Sequence, residues 1–217
     1  MALISNAKGR GENETPSGYE RLFGNRQLGM LFSKVHATVI TSGNELEKFL
    51  ANRLTKTEGV SIDMINKEKR VLKDAKTDSS GKKHKLDIDC VIERDGKMIL
   101  IEIKDGDTFD TKKTAGEIQS LIMAKNYLMK EKGLREEDIE IKFCSFNARD
   151  HQQIERGAKG LLPEDYALTG EELCELLDLD FDKLVEERKE HQGENLHFFI
   201  MELKKIPEVA EELSKEN

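Results

Sequence analysis

The chain has 217 residues, of which 37% are hydrophobic and 36% charged, enough apolar material for one sizeable core. No apolar run reaches the ~18 residues of a membrane span, and the first twenty residues lack the basic start and apolar stretch of a secretion signal. The net charge of −8 is uneven: residues 161–217 hold 6 Lys/Arg and 17 Asp/Glu, whereas the first 160 residues hold 29 and 26. A mildly basic body is compatible with nucleic-acid binding through a local patch but does not require it.

The N-terminal part of the chain predicts an arm followed by helices. Residues 1–18 are rich in Gly, Asn and Ser and have no periodicity, which predicts a flexible arm before a single domain over residues 19–217. Apolar spacing predicts a helix from Gln27 to Ile40. Ser42-Gly43-Asn44 is a predicted break and N-cap, and a second helix is predicted from about Glu45 to Leu54.

Two strands joined by a tight turn follow. Leu86 to Ile92 alternates between apolar and polar side chains, with Asp87 and Asp89 on one face. Arg94-Asp95-Gly96-Lys97 has the Asp-Gly centre of a hairpin turn. Met98 to Ile103 is nearly all apolar, as expected of a central strand covered on both faces.

The second half alternates helix and strand. A helix is predicted from about Lys113 to Lys130, ending at Gly133, and a strand from Ile139 to Phe146. Strand, helix, strand predicts a crossover and a parallel pair, so the predicted class is mixed α/β with a central mixed β-sheet flanked by helices. Three later elements are predicted: a helix with a partial capping box opening at Thr169, a helix from Phe181 to Lys189, and a strand or buried helix from Leu196 to Leu203.

The predicted hairpin brings together two acids and a lysine: Asp89, Glu102 and Lys104. Cutting a phosphodiester requires a nucleophilic water, neutralisation of charge and help for the leaving oxygen, all of which a divalent metal supplies. Mg²⁺ prefers hard oxygen ligands and usually takes one or two carboxylates, here Asp89 and Glu102, with the carbonyl of Ile103 as a further ligand. Lys104 faces the same way as Glu102 and can orient the water. Asp87 is the alternative to Asp89.

This region resembles the PD-(D/E)xK nuclease superfamily. The matching residues are Asp89, the turn Glu93-Arg94-Asp95-Gly96-Lys97, and Glu102-Ile103-Lys104; the usual proline before the acid is replaced by Ile88. The resemblance implies a restriction-endonuclease-like core and favours Asp89 over Asp87. It also implies a further acid from the first core helix, Glu47 or alternatively Glu45, although a glutamate near a helix start is commonly a dipole complement.

The segment Phe109-Asp110-Thr111-Lys112-Lys113, followed by Gly-Glu, resembles type II restriction endonucleases. The resemblance implies that Lys112 and Lys113 face phosphates near a helix N-terminus and that Glu117 or Gln119 lines the site. A capped helix start with solvated lysines is the alternative.

The polar segment 147–160 is a candidate recognition loop, because Arg and Lys read guanine and Asn and Gln read adenine in the major groove. The candidate DNA-binding residues are Asn147, Arg149, Gln152, Gln153 and Arg156, in a segment that also holds His151 and Lys159. An ordinary polar loop is the alternative. Lys82, Lys83 and Lys85, just before the acid-bearing strand, are candidates to steer the phosphate backbone.

The predicted function is cleavage of double-stranded DNA at a short, palindromic sequence by a type II restriction-like enzyme that requires Mg²⁺, with Mn²⁺ as a substitute. A homodimer would present one active site to each strand, and a cognate DNA methyltransferase is the implied functional partner. The three cysteines lie in apolar patterns and indicate free thiols in a reducing compartment, the cytoplasm. Two alternatives remain open: a junction-resolvase-like repair nuclease, and a non-catalytic DNA-binding module on the same fold, against which the intact acids and lysine argue.

Overall fold

The computed structural model describes residues 2–9, 16–55, 58–64, 70–77, 81, 83–106 and 109–215. The chain divides into two compact units, one made of Met1–Leu46 with Asp182–Asn217 and the other of Glu47–Phe181. The single domain predicted over residues 19–217 stays a prediction.

The first unit is helical. Its elements are a 3-10 turn at Ile4–Asn6, α1 (Gly18–Phe23), the larger part of α2 (Arg26–Ala51), nearly all of α6 (Phe181–Lys204) and α7 (Pro207–Lys215). In the described part of the predicted arm, Ile4 is buried, and its N–H donates to Asn195 Oδ1 at 2.8 Å. The Asn195 amide donates in turn to the carbonyl of Ala2 at 2.9 Å, so this stretch is packed onto its own unit.

The predicted break at Ser42-Gly43-Asn44 is wrong, because α2 is one continuous helix from Arg26 to Ala51. A Cβ placed on Gly43 would meet nothing within 4 Å, so the glycine sits at an open position and costs the helix only about 1 kcal/mol relative to alanine. The good helix formers on either side outweigh that cost. Glu47 therefore lies near the C-terminal end of a long helix.

The second unit is built on a five-stranded mixed sheet with the order β1-β4-β5-β6-β7. The strands are β1 (Val60–Asp63), β4 (Cys90–Arg94), β5 (Lys97–Lys104), β6 (Ile139–Ser145) and β7 (Ala167–Thr169). β1, β4 and β5 pair antiparallel, whereas β5, β6 and β7 pair parallel. Helix α3 (Thr111–Lys132) connects β5 to β6, which confirms the predicted parallel crossover and the mixed α/β class.

The predicted single strand from Leu86 to Ile92 is wrong. The stretch is divided between β3 (Lys83–Asp87), which pairs with β2 (Val71–Thr77) in a separate two-stranded sheet, and β4. Ile88 and Asp89 make the crossing between the two sheets. Ile88 is 1% exposed, so apolar and polar residues keep alternating through the bend and the pattern gives no sign of it.

Two apolar clusters fix where the helices lie on the sheet. One joins β4, β5 and β6 to the middle of α3 through Leu100, Leu121, Leu128, Ile141 and their neighbours. The other joins the start of α3, the end of β6 and the short helix α4 (His151–Gly157) through Phe109, Ile118, Phe143, Ile154 and Ala158. The rings of Phe109 and Phe143 pack edge to face with their centroids 5.2 Å apart. Ile154 and Ala158 of the same cluster bring α4 to the carboxyl ends of the strands.

The last predicted elements are helical. Helix α5 (Gly170–Leu177) begins with a complete capping box between Thr169 and Glu172, which confirms the predicted start. Helix α6 continues through residues 196–203, so the alternative of a late strand is wrong. Leu196, Ile200 and Met201 are exposed rather than buried. Within the described ranges, none of the helices combines the length and apolar character needed to cross a bilayer.

Candidate active site

Asp89 is held against the end of β5 by a backbone hydrogen bond. Cys90, the first residue of β4, pairs with Ile101 of β5. Asp89, the residue before Cys90, therefore lies beside the last residues of β5. There the N–H of Ile103 donates to Asp89 Oδ2 at 2.8 Å. This bond places the carboxylate of Asp89 next to the Glu102–Lys104 segment, as the hairpin predicts.

Lys104 lies between two carboxylates. Its Nζ is 2.6 Å from Glu102 Oε1 and 2.8 Å from Glu117 Oε1. The three side chains are only 12–22% exposed, so these ion pairs are poorly screened by water. Of the two α3 residues predicted to line the site, Glu117 does so, whereas Gln119 is exposed.

The carboxylates of the cluster raise one another's pKa. Burial, and then the negative charge of Asp89, raise the pKa of Glu102 to about 8, against the opposing effect of Lys104. Burial also raises the pKa of Asp89, although the Ile103 N–H and Lys104 oppose it. For Lys104, burial alone would lower the pKa, but the contacts with Glu102 and Glu117 outweigh burial and raise it. The cluster therefore contains more carboxylates than the single ammonium group of Lys104 can neutralise.

Glu47 belongs electrostatically to the same cluster. Its pKa is raised to about 7 by burial and then by the charge of Asp89, and it is lowered by Arg70 and Lys104. Because Glu47 lies near the C-terminus of α2, where the helix dipole disfavours a carboxylate, it is not the dipole complement that the predicted helix start suggested. The alternative residue, Glu45, belongs to the first unit.

Asp87 and Asp89 have different surroundings, because the chain bends between β3 and β4. The carboxylate of Asp87 is 40% exposed and lies 3.0 Å from Arg70 Nη1 and 3.8 Å from Lys85 Nζ. Asp87 is thus paired with two cations on the two-stranded sheet, whereas Asp89 is largely buried beside Glu102.

Comparison with known proteins shows the family to which the chain belongs. Residues 21–157 match the family of the type II restriction endonuclease HinfI. The type II restriction enzyme HhaII of Haemophilus parahaemolyticus is 36% identical over 236 aligned residues, which cover 99% of each chain. This chain belongs to the HinfI family of type II restriction endonucleases. No solved structure matches it.

Membership of the HinfI family confirms the predicted enzyme class, a site-specific deoxyribonuclease that acts on double-stranded DNA. It decides against the junction-resolvase-like and non-catalytic alternatives. The matched region contains both the acid–lysine cluster and α4.

Type II restriction enzymes generally use divalent metal ions, and the donor atoms at the cluster fit a hard cation. Glu102 and Asp89 offer buried carboxylates, and among the described residues Glu117 Oε2 is buried with no hydrogen-bond partner. In the same described part of the chain, no group of three or more His, Cys, Asp or Glu is arranged as a metal cage. Two carboxylates with water and phosphate oxygens are the usual set for Mg²⁺, which rarely has an all-protein cage.

The predicted recognition loop is wrong in its local structure, because its centre is helix α4. Asp150 caps this helix by accepting from the Gln153 N–H at 2.7 Å. The Gln153 side chain accepts from the Arg149 N–H at 2.9 Å, and the Asn147 amide donates to the Asp105 carboxylate at 2.9 Å. Gln153 thus bonds within the segment, whereas Asn147 ties the segment to the loop after β5.

Four of the five candidate readers are exposed. Besides Asn147 they are Arg149, Gln152 and Arg156, which lie on or next to α4. Of these three, only Arg156 has a side-chain bond given by the structure, from Nε to the Gln152 carbonyl at 3.2 Å. His151 contacts Glu172 at 2.8 Å, which ties α4 to α5.

The lysines at the start of α3 are exposed, as both interpretations of that segment require. Asp110 caps the helix through the Lys113 N–H at 2.8 Å, and Lys113 Nζ lies 3.8 Å from Glu117 Oε1. Lys159 Nζ donates to Thr111 Oγ1 at 3.1 Å, so a third cation lies at the same helix start. Of the steering lysines, Lys82 and the side chain of Lys83 lie outside the described residues, and Lys85 contacts Asp87.

The segment before α4 is also joined to the end of β5 and the loop after it. The Phe146 N–H donates to the Lys104 carbonyl at 2.8 Å, and Ser145 Oγ donates to the Gly106 carbonyl at 2.8 Å. These hydrogen bonds leave no local signal in the sequence, because the parallel pairing of β5 with β6 joins residues some forty positions apart.

Arg70 is the residue near the site that sequence analysis missed. It stands in a lysine-rich polar stretch that looks solvated, yet its side chain is only 13% exposed. Its partners come from other strands, so neither spacing nor composition identifies it.

We expect the metal-free protein to lose stability as the pH rises from about 5 to about 8. The pKa values of Glu102 and Glu47 in the folded state, about 8 and about 7, exceed the ordinary 4.5. Between these values the folded state binds more protons than the unfolded state, so the free energy of unfolding falls with rising pH. Thermal unfolding in EDTA across this range measures the effect.

The matched variants are Glu102→Gln and Glu140→Gln. Glu102→Gln should flatten the pH dependence of the free energy of unfolding. Glu140 lies on β6 with a side chain 42% exposed, so Glu140→Gln should leave that pH dependence unchanged. A parallel pH dependence in all three proteins would show that Glu102 titrates as an ordinary glutamate.

Proposed function

We propose that this HinfI-family enzyme hydrolyses both strands of a short DNA sequence in a Mg²⁺-dependent reaction at Asp89, Glu102 and Lys104. The observation that carries the proposal is the buried contact of Lys104 with Glu102 at 2.6 Å beside the carboxylate of Asp89. Two buried acids and one cation are stable together only with further positive charge or bound protons. A divalent cation supplies that charge.

The ligands proposed for Mg²⁺, or for Mn²⁺ as a substitute, are Asp89, Glu102 and the carbonyl of Ile103. A bound divalent metal supplies an activated water and neutralises charge on the phosphate and the leaving oxygen. Because the acids must give up their protons to bind it, and burial raises the pKa of both, metal affinity should rise with pH toward about 8.

Lys104 acts as a hydrogen-bond donor rather than as a base. Its pKa is raised by Glu102 and Glu117 despite burial, so it carries its proton at neutral pH. An ammonium group at this position orients the attacking water and stabilises negative charge on the phosphate. Glu117, 2.8 Å from Nζ, keeps a carboxylate partner on Lys104 when Glu102 ligates a cation.

Glu47 is proposed as a third acid of the catalytic cluster. With a pKa of about 7 it is roughly half protonated at neutral pH, so it can take up or release a proton there. Its charge is coupled most strongly to that of Asp89.

The proposed DNA contacts divide into two groups. Lys112 and Lys113, exposed at the start of α3, would contact phosphates, while Arg149, Gln152 and Arg156 would contact base edges from α4. Gln153 and Asn147 would act by positioning the segment, since Gln153 bonds within it and Asn147 bonds to Asp105 in the loop after β5.

Arg149→Ala and Gln152→Ala should each weaken binding to the cognate sequence by about 1–3 kcal/mol and relax specificity at one position. Lys112→Ala should weaken binding to all sequences alike and reduce the salt dependence. Fluorescence-anisotropy titrations in EDTA with cognate and scrambled duplexes separate these effects. The control is Arg135→Ala, an exposed arginine paired with Asp138. Unchanged discrimination in both α4 variants would remove α4 from base reading.

The proposed assembly is a homodimer, because a two-fold axis presents one active site to each strand of a palindromic sequence. The proposed compartment is the cytoplasm, where the buried free thiols Cys90, Cys144 and Cys174 stay reduced. A methyltransferase that modifies the same sequence is the proposed functional partner, since host DNA carrying that sequence requires protection. Sedimentation of the protein with a cognate duplex tests the dimer.

Incubation of plasmid DNA with the protein and Mg²⁺, followed by sequencing of the ends, tests the proposed function. The expected result is cleavage of both strands at one short sequence, loss of cleavage in EDTA, and its return with Mn²⁺. Ends scattered over unrelated sequences, or full cleavage in EDTA, would contradict the proposal.

A further inference from the structure

Arg70 makes two hydrogen bonds with the backbone of Ile88, the residue that precedes Asp89. The Ile88 N–H donates to the Arg70 carbonyl at 2.9 Å, and Arg70 Nη1 donates to the Ile88 carbonyl at 2.8 Å. The carbonyl of Ile88 belongs to the same planar peptide unit as the N–H of Asp89. Arg70 therefore fixes the orientation of the peptide from which Asp89 projects.

Arg70 is itself anchored to both sheets. Its N–H donates to Oδ2 of Asp63, the last residue of β1, at 3.2 Å. Its Nη1 lies 3.0 Å from Asp87 Oδ1, at the end of β3. Because Asp63 pairs with Val91 of β4, Arg70 spans the place where the chain passes from the two-stranded sheet to the five-stranded sheet.

The side chain of Ile88 is buried in the apolar core, but in the described part of the chain the backbone of the crossing lies outside the strands. Ile88 lacks the fixed φ of a proline, and neither Ile88 nor Asp89 belongs to a strand. On its far side, Asp89 is held only by the bond from the Ile103 N–H among the contacts that the structure gives. A small rotation of the Ile88–Asp89 peptide would move the carboxylate away from Glu102.

We propose that Arg70 is a positioning residue for Asp89, which it holds in place through the backbone of Ile88 without touching DNA or metal. This inference rests on the proposed active site. The guanidinium suits the role because Nη1 alone contacts both the Ile88 carbonyl and the Asp87 carboxylate. A lysine side chain ends one bond short of that nitrogen and carries a more strongly hydrated ammonium, so it does not reproduce the two contacts. Its charge also opposes protonation of Asp89 and Glu47.

The test uses Arg70→Lys and Arg70→Ala in the full chain. Both should lower the single-turnover cleavage rate on plasmid DNA by about 10–100-fold, the usual effect of removing a group that orients a metal ligand. Both should also weaken Mn²⁺ binding to the DNA-free protein, measured by calorimetry, by about 10-fold or more. The affinity for DNA in EDTA should stay within about 2-fold, because Arg70 is not a DNA contact.

Lys73→Ala is the matched control. Lys73 is an exposed residue of β2, the strand that begins directly after Arg70, so its loss removes a nearby positive charge without touching the crossing. It should leave cleavage, Mn²⁺ affinity and DNA affinity unchanged. Millimolar guanidinium should restore part of the turnover of Arg70→Ala and have no effect on Arg70→Lys.

The inference is overturned if Arg70→Lys folds and cleaves DNA at the wild-type rate. It is also overturned if Arg70→Lys loses thermal stability, DNA affinity and turnover together, since a general structural role would do that. If Arg70→Ala does not fold, Arg70→Lys alone decides. Asp89→Ala separates this failure from failure of the proposed site: an active Asp89→Ala refutes the site, whereas an inactive one with an unimpaired Arg70→Lys refutes only the positioning role.

Discussion

Asp89→Ala and Glu102→Ala should each lower the DNA cleavage rate by roughly three orders of magnitude or more, because residues that act as one unit fail together. Each change removes one of the two buried carboxylates proposed to hold the metal. DNA affinity in EDTA should persist, because it depends on phosphate and base contacts elsewhere. Single-turnover cleavage of a cognate duplex and anisotropy in EDTA measure the two effects.

The comparison with Asp87→Ala makes this experiment specific. Asp87 has the same side chain two residues away, but it is paired with Arg70 and Lys85, so its loss should reduce cleavage far less. Full activity in Asp89→Ala or Glu102→Ala would refute the site. An inactive Asp87→Ala beside an active Asp89→Ala would transfer the metal role to Asp87.

Lys104→Ala should lower turnover by roughly 10²–10³-fold, the range for loss of one donor that stabilises developing charge, with less effect on DNA affinity. It should also destabilise the metal-free protein at neutral pH and above, because Glu102 and Glu117 lose the cation that lies 2.6 and 2.8 Å from them. An uncompensated buried charge is more costly than the pair that it replaces.

Divalent metal should reverse part of that destabilisation. The difference in Tm between wild type and Lys104→Ala should be larger in EDTA than in Mg²⁺, because a cation near Glu102 takes over the lost charge. Lys130→Ala, an α3 lysine whose side chain is 83% exposed, is the control and should change neither Tm nor turnover. A Tm difference that Mg²⁺ leaves unaltered would place the metal away from Glu102.

The hairpin and the helix after it could be predicted because their signals are local. Asp95 and Gly96 adopt φ of 52° and 77°, the left-handed conformations that an Asp-Gly turn favours. The apolar run from Met98 makes β5 a central strand, and Gly133, with φ of 66°, ends α3. Each of these features depends on residues only a few positions apart.

The bend at Ile88 and Asp89 could not be predicted, because it depends on which strands become neighbours. Alternation of apolar and polar residues continues through it, and the partner that holds it, Arg70, is 18 positions away. The continuous α2 was missed for the opposite reason: Gly43 is a strong local signal, but the rest of the helix outweighs it. The sequence could therefore predict the candidate site residues that one hairpin brings together, namely Asp89, Glu102 and Lys104, but not Arg70.

The link between Phe146 and Lys104 bears on how fidelity arises. The peptide of Lys104 is hydrogen-bonded to the segment that leads into α4, so the element proposed to read bases and the element proposed to cut are directly joined through the backbone. A mismatch that tilts α4 would be transmitted mechanically to the ammonium group that is proposed to align the water. Discrimination would then act on the rate of the cut itself, over and above how tightly a wrong sequence is held.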